Sequence, residues 1–145
     1  MINLVGQKIL LFGAGPTARA YAKVLQQQDI PFDAIGRKHE SAKNFAEEIG
    51  IQPFLGFNEY LKSHEVIPKK SIIAVSVCSL SEVTKQAAKA GVKEILLEKP
   101  GGTTVSELKD LNNSLKRISP DIKIYLAYNR RFYASTKKAK EIIKE

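Results

Sequence analysis

The chain has 145 residues, enough for one domain that buries about two-thirds of its unfolded surface without staples. Apolar residues make up 43% and charged residues 26%, and a single cysteine, Cys78, excludes an internal disulfide and points to a reducing compartment. The net charge is +8, but the lysines are spread along the chain. Their one modest cluster, Lys137, Lys138, Lys140 and Lys144, is not interleaved with aromatics, which argues against a nucleic-acid partner.

In chain order, KILLFGAG at 8–15 reads as a buried strand ending in glycines, and PTARAYAKVLQQQ as a helix with Pro16 early and Ala18, Tyr21, Ala22 and Val24–Leu25 at helical spacing. FDAIGRK at 32–38 is a second strand, and ESAKNFAEEIG at 40–50 a helix closed by Gly50. QPFLG is a weaker third strand, and Asn58 is the expected cap of a short helix in NEYLKSH. SIIAVSVC at 71–78 is rich in β-branched residues and reads as a central strand. SEVTKQAAKAG at 81–91 is a helix, with Ser81 as the expected cap and Gly91 as its end.

KEILLEK at 93–99 is the next strand. Residues 104–116 form a helix with Val105, Leu108, Leu111 and Leu115 along one face. DIKIYLAYNRRF at 121–132 is a strand with Ile122, Ile124, Leu126 and Tyr128 alternating before a basic tip, and STKKAKEIIKE is helical. Strands that alternate with helices and read as apolar runs predict an α/β fold: a doubly wound parallel sheet in three layers, α/β/α. Ligands of such sheets bind beyond the carboxyl ends of the strands.

Gly13-Ala14-Gly15-Pro16-Thr17-Ala18 fits G-x-G-x-x-A, directly after a strand and opening a helix. Gly13 allows the tight turn, Gly15 lets backbone approach a pyrophosphate, and Ala18 lets the helix pack closely on the strand. The helix N-terminus adds N–H donors and a partial positive charge. Dinucleotide sites usually carry a carboxylate about 20 positions on, to hold the ribose hydroxyls. Here the second strand ends Ile35-Gly36-Arg37-Lys38 instead. That basic pair suits a 2′-phosphate, so NADP is favoured over NAD. His39 and His64 are too far apart to suggest a metal site.

Three stretches together resemble the Gfo/Idh/MocA oxidoreductases, the glucose–fructose oxidoreductase and inositol dehydrogenase relatives. They are the glycine loop, Glu98-Lys99-Pro100-Gly101, and Tyr128-Asn129-Arg130-Arg131-Phe132. The resemblance covers essentially the whole chain. It implies that Lys99 is the catalytic lysine, reaching the nicotinamide end of the cofactor and the substrate oxygen, where it stabilises negative charge and takes part in proton transfer. Pro100 would aim Lys99 through a cis peptide bond, and Glu98 would orient the lysine or hold the loop. Cys78 and Ser79, at the tip of the fourth strand, would line the cofactor groove, and Asn129 would lie near it. Many relatives carry Thr-Pro at that tip. Cys78 has no histidine nearby in sequence and is not read as a nucleophile.

The resemblance also sets the expected organisation. Residues 1–128 form the Rossmann dinucleotide-binding domain, and 129–145 begin the connection to a C-terminal substrate domain that the sequence does not contain. The expected function is the NAD(P)-binding part of an oxidoreductase that transfers hydride to or from a sugar or nucleotide-sugar hydroxyl or carbonyl, in carbohydrate or surface-polysaccharide metabolism. The alternative is a non-catalytic dinucleotide-binding module, or a subunit completed by a partner chain. In either case a homo-oligomer or a partner chain is expected to cover the face left by the second domain. No apolar run is long enough to span a membrane, and MINLVGQKILLFGAG lacks the features of a signal peptide, so the expected location is cytoplasmic.

Overall fold

The computed structural model describes residues 8–144, with the side chain of Lys144 left aside. The signal-peptide reading of the first residues and the last position of the terminal helix lie in part outside the described residues.

Six strands form one sheet in the order β3-β2-β1-β4-β5-β6, every pair parallel. They are β1 (Ile9–Phe12), β2 (Phe32–Gly36), β3 (Phe54–Leu55), β4 (Lys70–Ile73), β5 (Glu94–Leu97) and β6 (Lys123–Leu126). Six helices connect and follow them: α1 (Pro16–Gln27), α2 (His39–Ile49), α3 (Phe57–Ser63), α4 (Leu80–Lys89), α5 (Val105–Ile118) and α6 (Ala134–Lys144). This is the doubly wound α/β fold that the alternating pattern predicts. The order reverses between β1 and β4, and that point is where a crevice opens.

Side-chain alternation along each strand gives two cores. Ile9 and Leu11 of β1 face α1 and α2, where they meet Ala18, Leu25 and Phe45 beside Ile72 of β4. Leu10 and Phe12 face the other way, towards Tyr60, Leu80, Ala87, Leu111 and Leu115 of α3, α4 and α5. The helices are amphipathic enough to supply one apolar stripe each, which explains why propensity alone need not hold them.

Several element ends differ from the sequence expectation. The third helix begins at Phe57 with Gly56 as its N-cap, so Asn58 lies inside the helix and does not cap it. Gly56 holds that position because its N–H is bonded to Gly36 O at 2.8 Å. β4 stops at Ile73, level with the end of β1, and Val77–Ser79 forms a 3-10 turn into α4. That turn places Ser79, not Ser81, at the N-cap of α4. Ser81 is buried within the helix and its hydroxyl finds no partner among the described residues. β6 ends at Leu126, so Tyr128 lies beyond the alternation, and Asn129–Phe132 is a second 3-10 turn. On α5, Leu111 and Leu115 are buried, whereas Leu108 and Val105, in the first two turns, are exposed, Val105 by 69%.

A polar cluster ties the amino-terminal edge of the sheet. The Tyr60 hydroxyl donates to Asp33 Oδ2 at 2.9 Å, and Lys8 Nζ lies 2.7 Å from the same oxygen. His64 stacks on Tyr60, with ring centroids 4.1 Å apart. Burial, and then the Asp33 carboxylate, raise the Tyr60 hydroxyl well above the ordinary tyrosine range. A raised folded-state pKa means that this stability is fully present below the unfolded value, about 10, and is lost as pH rises beyond it. Denaturant melts should therefore show stability falling above about pH 10, and Tyr60→Phe should flatten that fall. At neutral pH the same variant should cost about 1–2 kcal/mol, because it takes a partner from a carboxylate that is largely out of water. An identical alkaline profile in the variant would mean that Tyr60 carries none of the effect.

Candidate functional site

The crevice at the β1–β4 reversal has a volume of about 340 Å³. Its floor is the glycine loop. Gly13 has φ +125°, and a Cβ built there would lie 2.3 Å from Ala74 O, so neither the conformation nor the space admits a side chain. Ala18 is fully buried just beneath, its Cβ 3.2 Å from the same hypothetical atom, which lets α1 sit close under the loop. Above Gly15 nothing lies within 4 Å of a built Cβ. Backbone is therefore open to a ligand there, although the position itself would tolerate alanine sterically.

Pro16 is the first residue of α1 and Gly15 is its N-cap, with no side chain capping it. Arg19 N–H finds Gly15 O at 3.0 Å, but the N–H groups of Thr17 and Ala18 have no acceptor among the described residues. These are the orphan donors of a helix start, and they suit an anion. Pro16 and Thr17 are exposed at the crevice edge and do not line its wall.

The walls are unusual in charge. Arg37 and Lys38, at the tip of β2, line the crevice, and no Asp or Glu does. Neither cation has a carboxylate within ion-pair distance among the described residues. Arg37 reaches over the crevice, its Nη1 3.5 Å from Ser79 Oγ, and Ser79 Oγ in turn lies 3.1 Å from Ser76 Oγ. Cys78 sits beside Ser79 on the 3-10 turn but is exposed and not part of the wall. Its exposure departs from the buried thiol that is usual for a lone cysteine.

The second group of expected residues lies along the same carboxyl edge, at β5 and β6. Glu98 follows β5, and its N–H is bonded to Ile73 O at 3.0 Å, next to the end of β4. Glu98 to Gly101 is a four-residue turn with a cis Lys99–Pro100 bond, closed by Gly101 N–H to Glu98 O at 3.1 Å. Gly101 is buried between Leu97, Leu108 and Leu126, which anchors the turn. After it, Thr104 Oγ1 accepts Glu107 N–H at 3.1 Å, while Glu107 accepts the Thr103 N–H at 2.6 Å and the Thr103 hydroxyl. Those bonds from Thr103 hold the Glu107 carboxyl below the usual carboxylate range.

Lys99 is exposed, and its side chain pairs with no carboxylate among the described residues. Asn129 opens the 3-10 turn after β6 and is also exposed. Glu98, Lys99, Pro100 and Asn129 are thus on adjacent strand tips, outside the wall of the crevice itself. Sequence reasoning missed the partner of Glu98. The Tyr21 hydroxyl, on α1, donates to Glu98 Oε1 at 2.7 Å. Tyr21 gave only the signal of an apolar helix position, and no local pattern joins residues so far apart.

A reversal-point crevice, a glycine loop under a helix start with open N–H groups and two cations on the crevice wall define a dinucleotide-type α/β domain. A family model described as the oxidoreductase family with NAD-binding Rossmann fold, GFO_IDH_MocA, matches residues 7–120, and the chain belongs to that family. Myo-inositol 2-dehydrogenase of Thermotoga maritima is 26% identical over 142 residues, a match covering 94% of this chain and 40% of that protein. An oxidoreductase from Agrobacterium radiobacter, solved in complex with NAD+, L-tartaric acid and magnesium, superposes with a TM-score of 0.80 at 18% identity, over 95% of this chain and 40% of its own. The WlbA dehydrogenase from Bordetella pertussis, in complex with NADH and UDP-GlcNAcA, gives a TM-score of 0.76 at 17% identity, over 95% and 42%. At such identities the structural likeness is one of fold. The chain spans about two-fifths of the length of these relatives.

Among the described residues no helix is long and apolar enough to cross a membrane, and no group of three or more His, Cys, Asp or Glu side chains could hold a metal ion.

Proposed function

We propose that this chain is the cofactor-binding part of a nicotinamide-dependent oxidoreductase, that it prefers NADP to NAD, and that the complete enzyme acts on a hydroxyl or carbonyl of a sugar or sugar derivative. The observation that carries the reading is the charge of the crevice: Arg37 and Lys38 line it, unpaired among the described residues, and no carboxylate does. A ribose diol is usually held by a carboxylate at this place, whereas a 2′-phosphate is held by a cation, with arginine the better fork. Thr17 and Ala18 N–H would take the pyrophosphate, and Gly15 would let it approach. Ser79 would bond the ligand where Arg37 now approaches it.

The bound nicotinamide supplies or accepts hydride. This chain's part is to hold the cofactor, and Lys99 would steady negative charge on the substrate oxygen and move a proton at Nζ. An exposed side chain without a carboxylate partner among the described residues suits that work. The turn Asn129–Phe132 is the main packing partner of α6, which is otherwise almost wholly exposed. That supports reading residues 129–145 as the connection towards a substrate-binding part, which a second copy or a partner chain could also cover. The sugar class is supported by the inositol and nucleotide-sugar compounds in the names of the relatives.

Lys99→Ala tests the reading. It should reduce hydride transfer to a polyol or nucleotide-sugar substrate by at least about 100-fold and change cofactor affinity less than about threefold. Equal turnover in the variant would remove Lys99 from the chemistry.

A further inference from the structure

Resting on that cofactor-binding reading, we infer that Tyr21 is a positioning residue: through Glu98 it locks the Lys99 turn to helix α1, so that the nicotinamide half of the site is set relative to the pyrophosphate half. The glycine loop and the Lys99 turn lie on different strands, β1 and β5, with β4 between them. The backbone joins their tips only strand by strand, through Ala74 N–H to Phe12 O at 2.8 Å and Glu98 N–H to Ile73 O at 3.0 Å. The Tyr21 hydroxyl spans this gap with one 2.7 Å bond to Glu98 Oε1.

Tyr21 belongs to the helix whose first turn carries the pyrophosphate donors, and Glu98 is the first residue of the cis-proline turn. Glu98 makes no other side-chain hydrogen bond or ion pair among the described residues, so removing the hydroxyl leaves its carboxylate without a fixed pose. Burial, and then the bond to Glu98, keep the Tyr21 hydroxyl protonated well above neutral pH, so it serves as a constant donor. The opposite view, that Tyr21 only fills the apolar side of α1, accounts for the ring but not for a directed bond to a carboxylate. Hydrogen bonds to charged acceptors are the stronger and more directional kind.

The experiment compares affinities for two ligand pairs that differ only by nicotinamide: NADPH against 2′-phospho-ADP-ribose, and NADH against ADP-ribose. Tyr21→Phe should leave the affinity of the nicotinamide-free ligand unchanged and reduce the advantage of the whole cofactor about five- to tenfold. Tyr125→Phe, on the same sheet face but without a side-chain hydrogen bond among the described residues, should change neither. Tyr21→Phe/Glu98→Ala should fall no further than Glu98→Ala alone, because the tyrosine acts through the carboxylate.

Should Tyr21→Phe fail to melt cooperatively, Glu98→Ala gives the same reading: it must lose the nicotinamide advantage selectively. Equal loss for both members of a pair would overturn the positioning role, as would no loss at all or a wild-type chain that binds both members equally. A wild-type chain that binds none of the four ligands would overturn the cofactor reading itself, and this inference with it.

Discussion

Gly13→Ala is expected to destabilise the chain by roughly 2–5 kcal/mol, the largest single effect at the site. Two costs combine. A non-glycine residue at φ +125° is strained, by about 1–2 kcal/mol on the scale of left-handed backbone. The added Cβ would also lie 2.3 Å from Ala74 O, and that neighbour is backbone at the end of β4, not a flexible side chain. Such overpacking costs typically 1–3 kcal/mol. For a domain whose whole stability is about 5–15 kcal/mol, urea denaturation should show a large fall in midpoint. Cofactor affinity should fall with it, because the loop cannot keep its course under Gly15. A variant of unchanged midpoint would mean that the loop is plastic and that the tight turn does not shape the crevice. Gly15→Ala is the natural comparison: a Cβ there meets nothing within 4 Å, so it should fold normally and act only on ligand approach.

The second large effect concerns cofactor choice. Arg37→Asp should weaken NADPH roughly 100-fold while leaving NADH within about threefold, so the preference reverses. The magnitude follows from losing a charge-assisted contact to the 2′-phosphate and placing a like charge beside it, each about 1.5 kcal/mol or more at a partly shielded site. Salt should blunt the NADPH affinity of the wild type more than that of the variant, because exposed charges are screened. An unchanged NADPH-to-NADH ratio would assign Arg37 to solvent and leave NAD as the cofactor that the family description names.

The fold was largely legible in the chain, for a reason visible in particular residues. ILLF and EILL are short apolar runs between helices with clear stripes, and such runs can be satisfied only between two helical layers. The glycine loop and the Glu98–Gly101 turn were legible because each is a local pattern whose chemistry depends on its own backbone. Element ends were less so. Asn58 and Ser81 have capping chemistry, yet Gly56 and Ser79 take the N-cap positions, because tertiary bonds such as Gly56 N–H to Gly36 O decide where the chain turns.

Contacts between distant segments left no local trace. Tyr21 with Glu98, Arg37 beside Ser79, and the Asp33–Tyr60–Lys8 cluster each join residues whose own neighbourhoods give only a helix stripe, a strand tip or a charge. The coverage of the sheet was hidden in the same way. On the α1 side, Leu96 and Tyr125 of β5 and β6 border, with Tyr21, Val24 and Leu25 of α1, an apolar groove of about 310 Å³. Strand alternation alone gives no sign that, among the described residues, the helices of this face leave such a groove open.

Cofactor choice, positioning and hydride transfer all depend on the crevice being a working nucleotide site. Calorimetric titration of the chain with NADPH, and separately with NADH, tests that directly. The expected result is saturable binding in the micromolar range, one ligand per chain, with NADPH the tighter. Absence of heat and of binding with both would contradict it: the glycine loop and the two cations would then be features of a fold that does not take up the cofactor in this chain.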